Sequence, residues 1–266
     1  MRWDPQQYGR YSSERSRPFF DLLARVEAQA PASAPASVTD LGCGSGELTA
    51  ALAQRWPEAT IRGVDSSPDM IERANEHESE KLSFHLTRAE DFSATGVDVL
   101  ISNALLQWVP DHLALLSRWA DELPAGGWLA FQVPANFDSP SHRLMRELAS
   151  PPRWRDTLDG VLRHADAVAE PAEYLTTLMD AGMRVDAWQT SYLHVLSGEN
   201  PVLEWVRGTG LRPVLQALAD AAKDDNDTDR AEFEAEYADL LRQAYPARGG
   251  VTVFPFLRTF VVASKP

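Results

Sequence analysis

Cysteine is nearly missing from this chain: Cys43 stands alone among 266 residues. An intramolecular disulfide is thereby excluded, and so is a cysteine-based zinc site within one chain. Positive charge is also short. Lys and Arg total 25 against 39 Asp and Glu, a net charge of −14 at pH 7, and only three of the cations are lysines. A balance of that sign opposes the counterion release that drives binding to phosphate backbones, so nucleic acid is not an expected partner. Scarce lysine beside plentiful arginine and alanine reads as codon bias rather than mechanism. Long apolar runs are lacking too. No stretch approaches the span of a bilayer, and Met1 to Arg10 has neither the basic flank nor the apolar segment of a signal peptide. A cytoplasmic protein away from membranes is the expectation. What is present is apolar material, 44% of the residues, enough in a chain of this length for one large α/β domain.

Ser12 to Ala28 carries Phe19, Leu22, Leu23 and Val26 at helical spacing, so an amphipathic helix opens the chain. Pro31 to Ser37 is a short biased linker. Strand and helix then alternate: a strand into Asp40-Leu41, a helix over Glu47–Trp56, a strand over Thr60–Val64, a helix over Pro68–Glu76. Strands follow at Leu82–Leu86 and Val97–Ser102, a helix at Asp111–Leu123, and a strand at Trp128–Val133. The alternation predicts a doubly wound, mostly parallel sheet. Beyond it the pattern loosens into helical stretches at Ser141–Ala149, Ala172–Ala181, Pro201–Val206 and Arg230–Ala244, with β-like runs at Arg184–Val195 and Val251–Ala263. Helices inserted between these last two strands are expected to cap the carboxyl ends of the sheet. Asp220 to Asp229 reads as a solvated acidic loop.

The sharpest signal is Asp40-Leu41-Gly42-Cys43-Gly44-Ser45-Gly46-Glu47, directly after the first strand and opening a helix, where glycines let backbone approach a ligand. The glycines are spaced G-x-G-x-G rather than the G-x-G-x-x-G that presents a helix to pyrophosphate. An acidic residue just before them suits a ligand's ammonium and repels a phosphate, which favours S-adenosylmethionine over a dinucleotide. Asp65 ends the second strand, where a carboxylate can accept hydrogen bonds from both hydroxyls of a ribose. Cys43, inside the loop, reads as a small buried spacer rather than a nucleophile.

From Val38 to Val133 these residues resemble the class I methyltransferase family, with Asp40 to Gly46 as its first motif. The resemblance implies a seven-stranded Rossmann-like sheet and a cofactor site at Tyr8, Asp40, Gly42, Cys43, Gly44, Gly46, Asp65, Ser66, Met70, Ala89, Glu90 and Asn103. The loop after the third strand reads Thr87-Arg88-Ala89-Glu90-Asp91-Phe92, with Arg88 where the family often has Asp, so adenine contact is expected from the Ala89 backbone or Glu90.

A closer resemblance rests on Trp3-Asp4-Pro5 with Tyr8, on Ser13 to Pro18, on Asn103-Ala104-Leu105-Leu106-Gln107-Trp108-Val109-Pro110-Asp111-His112, and on Thr209 to Pro213. Together these are similar to the trans-aconitate 2-methyltransferase family and imply methylation of a carboxylate of that small acid. Such an acceptor is already ionised near neutral pH and needs no general base, so arginines and aromatics are expected rather than a triad. Arg15 and Arg17 on the opening helix are the first substrate candidates, and Arg212 and Arg258 the second, with surface ion pairs as the alternative for each. Gln107, Trp108 and Gln132 lie at the carboxyl ends of their strands, where an open parallel sheet forms its ligand crevice. Tyr192 is a further substrate candidate and shares a strand face with His194, which itself reads as structural.

This reading makes 1–266 one domain: a lid helix in 1–30, a cofactor core in 38–134, and substrate-side helical elements in 138–183 and 200–246. A monomer is expected, since no helix face looks self-complementary. Two alternatives stay open at this point, a methyltransferase for another small molecule and a protein that binds S-adenosylmethionine without turnover.

Overall fold

In the computed structural model, residues 12–29, 35–162, 167–222 and 228–266 are described, without the side chains of 12–15 and 27–29. Short strands supply the centre: β1 (Ser37–Leu41), β4 (Val99–Asn103) and β5 (Trp128–Pro134) are buried along nearly their whole length, while β2 (Thr60–Asp65) and the edge strand β3 (Leu82–Leu86) alternate buried with more exposed residues. Strands buried on both faces must be covered on both. Around them lie α1 (Ser12–Gln29), α2 (Glu47–Arg55), α3 (Pro68–Ala74), α4 (His112–Glu122), α5 (Pro140–Ala149), α6 (Pro152–Leu158) and α7 (Pro171–Asp180). β6 (Arg184–Ser197) is followed by α8 (Pro201–Arg207), α9 (Arg212–Ala221), α10 (Thr228–Ala244) and β7 (Val251–Ser264).

The sheet has seven strands in the order β3-β2-β1-β4-β5-β7-β6, parallel through β5 and antiparallel where β7 enters between β5 and β6. Strand order reverses at the β1/β4 pair, and in open α/β sheets the ligand crevice lies outside the carboxyl ends at that point. Alternation along β4 divides the core: Leu100 faces a cluster with Trp119, Phe131, Tyr174 and Val261, whereas Val99 and Ile101 face one with Phe19, Leu22, Leu52 and Phe260.

The last two strands are longer than the sheet. β6 and β7 pair over 14 residues each, from Arg184↔Ser264 to Ser197↔Val251, while β5 pairs only with Arg258 to Ser264 of β7. Residues 251–257 therefore run on past the carboxyl end of β5 as a two-stranded ribbon. A third apolar cluster gathers on that ribbon, where Leu196, Phe254 and Phe256 meet Trp154 of α6, Trp205 of α8, Leu215 of α9 and Phe233 and Tyr237 of α10.

Several expected boundaries shift. The helix begun at Pro68 stops at Ala74 and tightens into a 3-10 turn over Asn75–His77, and the fourth strand begins at Val99 rather than Val97. Helices α6 and α9, unanticipated, both open with proline in their first turn, where its missing N–H costs nothing. The acidic run is shortened at both ends, Asp220 belonging to α9 and Asp229 to α10. Part of the Pro31–Ser37 linker lies outside the described residues.

Candidate active site

β1 delivers the chain into the glycine turn, which is pinned to its neighbour because Gly42 N and Cys43 N both donate to Val64 O, at 2.7 and 3.0 Å. Gly42 (φ 82°) and Gly46 (φ 89°) are left-handed and crowded: an added Cβ would stand 2.9 Å from Leu105 at the first and 2.9 Å from the Phe84 ring at the second. Gly44, also left-handed, has nothing within 4 Å of where its Cβ would be. The loop is thus packed at both ends and open in the middle. Asp65 braces it, accepting from Gly44 N at 3.0 Å and from Ser67 N at 2.9 Å.

Asp40 lies buried beneath the turn. Thr49 Oγ1 donates to its Oδ2 at 2.7 Å, and Oδ1 has no partner among the described residues. Burial, reinforced by the nearby Asp65 and opposed by the Thr49 bond, pushes its carboxyl up to about 6. A buried carboxylate oxygen lacking a donor, beside an open glycine turn and a braced aspartate, fits the ammonium and ribose of S-adenosylmethionine. Cys43 is buried, and its thiol is pushed far up, chiefly by burial, which removes thiolate character.

Ser66 is exposed and Met70 buried on α3, beside the end of β2. Ala89 is buried in a 3-10 turn over Ala89–Asp91, which Arg118 pins from α4 by donating to Glu90 O and Phe92 O, each at 2.9 Å. Arg88 points outward and pairs with Glu90 at 3.0 Å, which holds the Glu90 carboxyl below its usual range.

On the other side of Asn103 a hydrogen-bonded row crosses three strands. Arg258 Nη1 of β7 donates to Gln132 Oε1 of β5 at 2.9 Å, and Gln132 Nε2 donates to Asn103 Oδ1 of β4 at 2.5 Å. The two ends of the row, Asn103 and Arg258, line a pocket whose walls also include Gln107, Trp108, Asn136, His142 and Trp205. Arg258 is buried, its guanidinium 4.7 Å over the Phe256 ring.

Arg17 stands on α1 with its guanidinium 5.2 Å from the Tyr192 ring centre, and Tyr192 donates its phenolic hydrogen to Asp21 at 2.7 Å. Burial first, then Asp21, push that phenol up, while Arg258 and Arg17 act the other way. His194, expected on the same face, is packed between Trp205 at 4.3 Å and Phe256 at 6.2 Å between ring centres. His112 is buried too: Nδ1 donates to Val109 O at 3.2 Å and Tyr174 donates to Nε2 at 2.9 Å, while burial lowers its affinity for a second proton. It ties the loop after β4 to α7.

The structure therefore gathers Gln107, Trp108 and Arg258 around one pocket, with Gln132 buried behind it and bonded to Arg258; Arg17 is exposed beside Tyr192 and pairs with Asp21 at 3.7 Å. Arg212 is set apart: α9 begins there, and the side chain lines a separate depression with Arg207 and Arg230. Arg15 has only its backbone described, and Tyr8 lies outside the described residues. Asn136 and His142 went unnoticed in the sequence. The crevice rule that marked Gln107 would have reached Asn136, which sits just past the end of β5, whereas His142 on α5 left no local signal.

A methyltransferase domain family matches residues 11–180. The chain is 52% identical to a trans-aconitate 2-methyltransferase of Streptomyces avermitilis, covering 99% of this chain and 97% of that one. It is 48% identical to the enzyme of that name from Rhodococcus jostii, covering 98% of each. Among solved structures, a plantazolicin methyltransferase bound to a pentazolic desmethylPZN analogue and SAH superposes with TM-score 0.53 at 16% identity, over 98% of this chain and 91% of that one. Coclaurine N-methyltransferase bound to N-methylheliamine and SAH gives 0.55 at 15%, over 92% and 71%. These structures share the fold. With a glycine turn at the sheet's reversal point and full-length identity near one half, the chain belongs to the class I methyltransferase family, in the group of the trans-aconitate 2-methyltransferases.

Proposed function

We propose that this chain transfers a methyl group from S-adenosylmethionine to a carboxylate of trans-aconitate, giving the monomethyl ester. The observation that carries the reading is 52% identity, over nearly the whole of both chains, to an enzyme named for that activity. The pocket chemistry supports it, since a guanidinium held by Gln132 beside aromatic walls suits a small polycarboxylate.

Bound S-adenosylmethionine supplies a methyl carbon made electrophilic by the adjoining sulfonium. Asp40 holds the ammonium through Oδ1, the backbone of Gly42, Cys43, Gly44 and Gly46 shapes the turn around the methionine end, and Asp65 accepts from the ribose hydroxyls. Ser66 and Met70 border the ribose, Ala89 and Glu90 read the adenine, and Asn103, fixed by Gln132, orients the methionine end. Tyr8 is the remaining residue of the cofactor site. Arg258, Arg17 and Arg15 orient the acid, and Gln107, Trp108, Gln132 and Tyr192 shape its seat.

The acceptor is a carboxylate, ionised at neutral pH, so no side chain has to remove a proton before attack. Positioning and exclusion of water then supply the acceleration. Neither His112 nor His194 is required for a proton transfer. Residues 1–30 act as a lid, 38–134 as the cofactor core, and 138–183 with 200–246 as the substrate side of a single domain. The chain works as a monomer in the cytoplasm, on a small acidic metabolite and not on nucleic acid; among the described residues no helix is long and apolar enough to cross a membrane.

The test is incubation with methyl-labelled S-adenosylmethionine and trans-aconitate, followed by mild base. Label that enters product and is released by base marks an ester, as expected. Label that resists base, or none at all beside firm cofactor binding, would contradict carboxyl methylation.

A further inference from the structure

β5 ends at Pro134, and one more rung follows, Ala135 N donating to Leu257 O at 2.9 Å. Asn136 is the first residue past the sheet. Its carbonyl accepts from Ser139 N at 3.0 Å in the turn that leads into α5. The residue is only 4% exposed and both polar atoms of its side chain are buried, yet neither Nδ2 nor Oδ1 has a partner among the described residues. Buried amides are almost always hydrogen-bonded, because leaving one unpaired forfeits its hydration for nothing. Asn136 lines the pocket that Asn103 and Arg258 also line, so its missing partner belongs to whatever occupies that pocket.

Gln107 lines the same pocket with the opposite polarity. Its Nε2 donates to Ala104 O at 2.5 Å, and since a carbonyl only accepts, this bond fixes Oε1 as the other end. Oε1 is buried and accepts nothing from the described residues. A carboxylate oxygen brought there would meet an acceptor rather than a donor.

We propose that Asn136 is a specificity-determining residue whose Nδ2–H joins Arg258 in holding a carboxylate that does not react, while the Gln107 carbonyl turns carboxylates away from its own wall. The inference rests on the proposed function, because it assumes an acid bearing more than one carboxylate. A carboxylate has two oxygens, so it can take the guanidinium on one and the amide N–H on the other. Selection among acids then depends on a second carboxylate at the distance set by this pair.

The experiment compares the wild-type chain with Asn136→Leu and Asn136→Asp, measuring KM and kcat for trans-aconitate, preference for trans-aconitate over crotonate, and S-adenosylhomocysteine affinity by calorimetry. Asn136→Leu is expected to raise KM about tenfold with kcat and product affinity little changed, and to narrow the preference over crotonate, which lacks the second carboxylate. Asn136→Asp, nearly the same shape, places a carboxylate against a carboxylate and is expected to raise KM about a hundredfold; it covers the case in which leucine disturbs folding. A KM within about twofold of wild type in either folded variant, or an unchanged preference over crotonate, would overturn the proposal and leave Asn136 to an ordered water. If the wild type methylates a different polycarboxylate, the trans-aconitate reading fails, and the same shifts measured with that acid still uphold Asn136. If it methylates no carboxylic acid, both fall.

Discussion

Asp40 and its neighbours set the chemistry of the cofactor side through burial. A carboxyl pushed up to about 6 by desolvation is held more tightly by the folded chain than by the unfolded one, whose value is near 3.8. Its contribution therefore favours the fold below about pH 4 and is lost as pH rises through 6, up to roughly 3 kcal/mol. In cofactor-free protein, Asp40→Asn is expected to raise the thermal midpoint relative to wild type more at about pH 7.5 than at about pH 5. The same change should abolish measurable S-adenosylhomocysteine binding, and wild-type affinity should weaken as pH falls below about 6. Calorimetry against pH checks both. Gly46→Ala, with φ 89° and its Cβ against Phe84 and Ala74, is expected to cost about 2–4 kcal/mol in chemical unfolding. At Arg258, lysine keeps the charge and loses the fork to Gln132, and steady-state kinetics are expected to show KM for the acid raised about tenfold with cofactor affinity retained.

At the scale of elements, the extension of β6 and β7 beyond β5 carries Phe254 and Phe256 past the sheet, leaves Arg258 on the last rung shared with β5, and gives α8 to α10 a surface to pack on, which is the proposed substrate side. α1 is latched to this ribbon by Tyr192 and Asp21. Tyr192→Phe is expected to cost about 0.5–1.5 kcal/mol and to speed amide exchange in α1 while leaving α2 and β1 as they were. The alternating half of the molecule was legible in the sequence, since apolar runs five to seven residues long (β1 to β5) separated by amphipathic helices admit few other arrangements. The glycine turn and Asp65 were legible too, spacing and strand ends being local facts. The pocket was legible only in part. Gln107, Gln132 and Arg258 stand at strand ends, but the row they form with Asn103 depends on the register of β7 against β5 across 126 residues of sequence. Arg212 looked like Arg258 in the sequence; only the start of α9 separates them. Proline-led helices α6 and α9 were hidden because proline reads as punctuation until its place in the first turn is known.

For the molecule as a whole, a net charge of −14 surrounds a pocket that carries a buried arginine. Like charge opposes self-association, and on the proposed monomer sedimentation at moderate salt is expected to give one species of 29.5 kDa. Local cations therefore have to overcome a repulsive global field to capture an anionic acid, which explains a seat built from a braced guanidinium and amides rather than from loose surface charge. The decisive measurement is competition: limiting methyl-labelled S-adenosylmethionine is offered to equal amounts of trans-aconitate, cis-aconitate, isocitrate, citrate, a phenol and an amine, and the products are separated. Label gathered mainly in a base-labile trans-aconitate ester is the expected result; label on the phenol or amine, with the acids left unmethylated, would contradict the account.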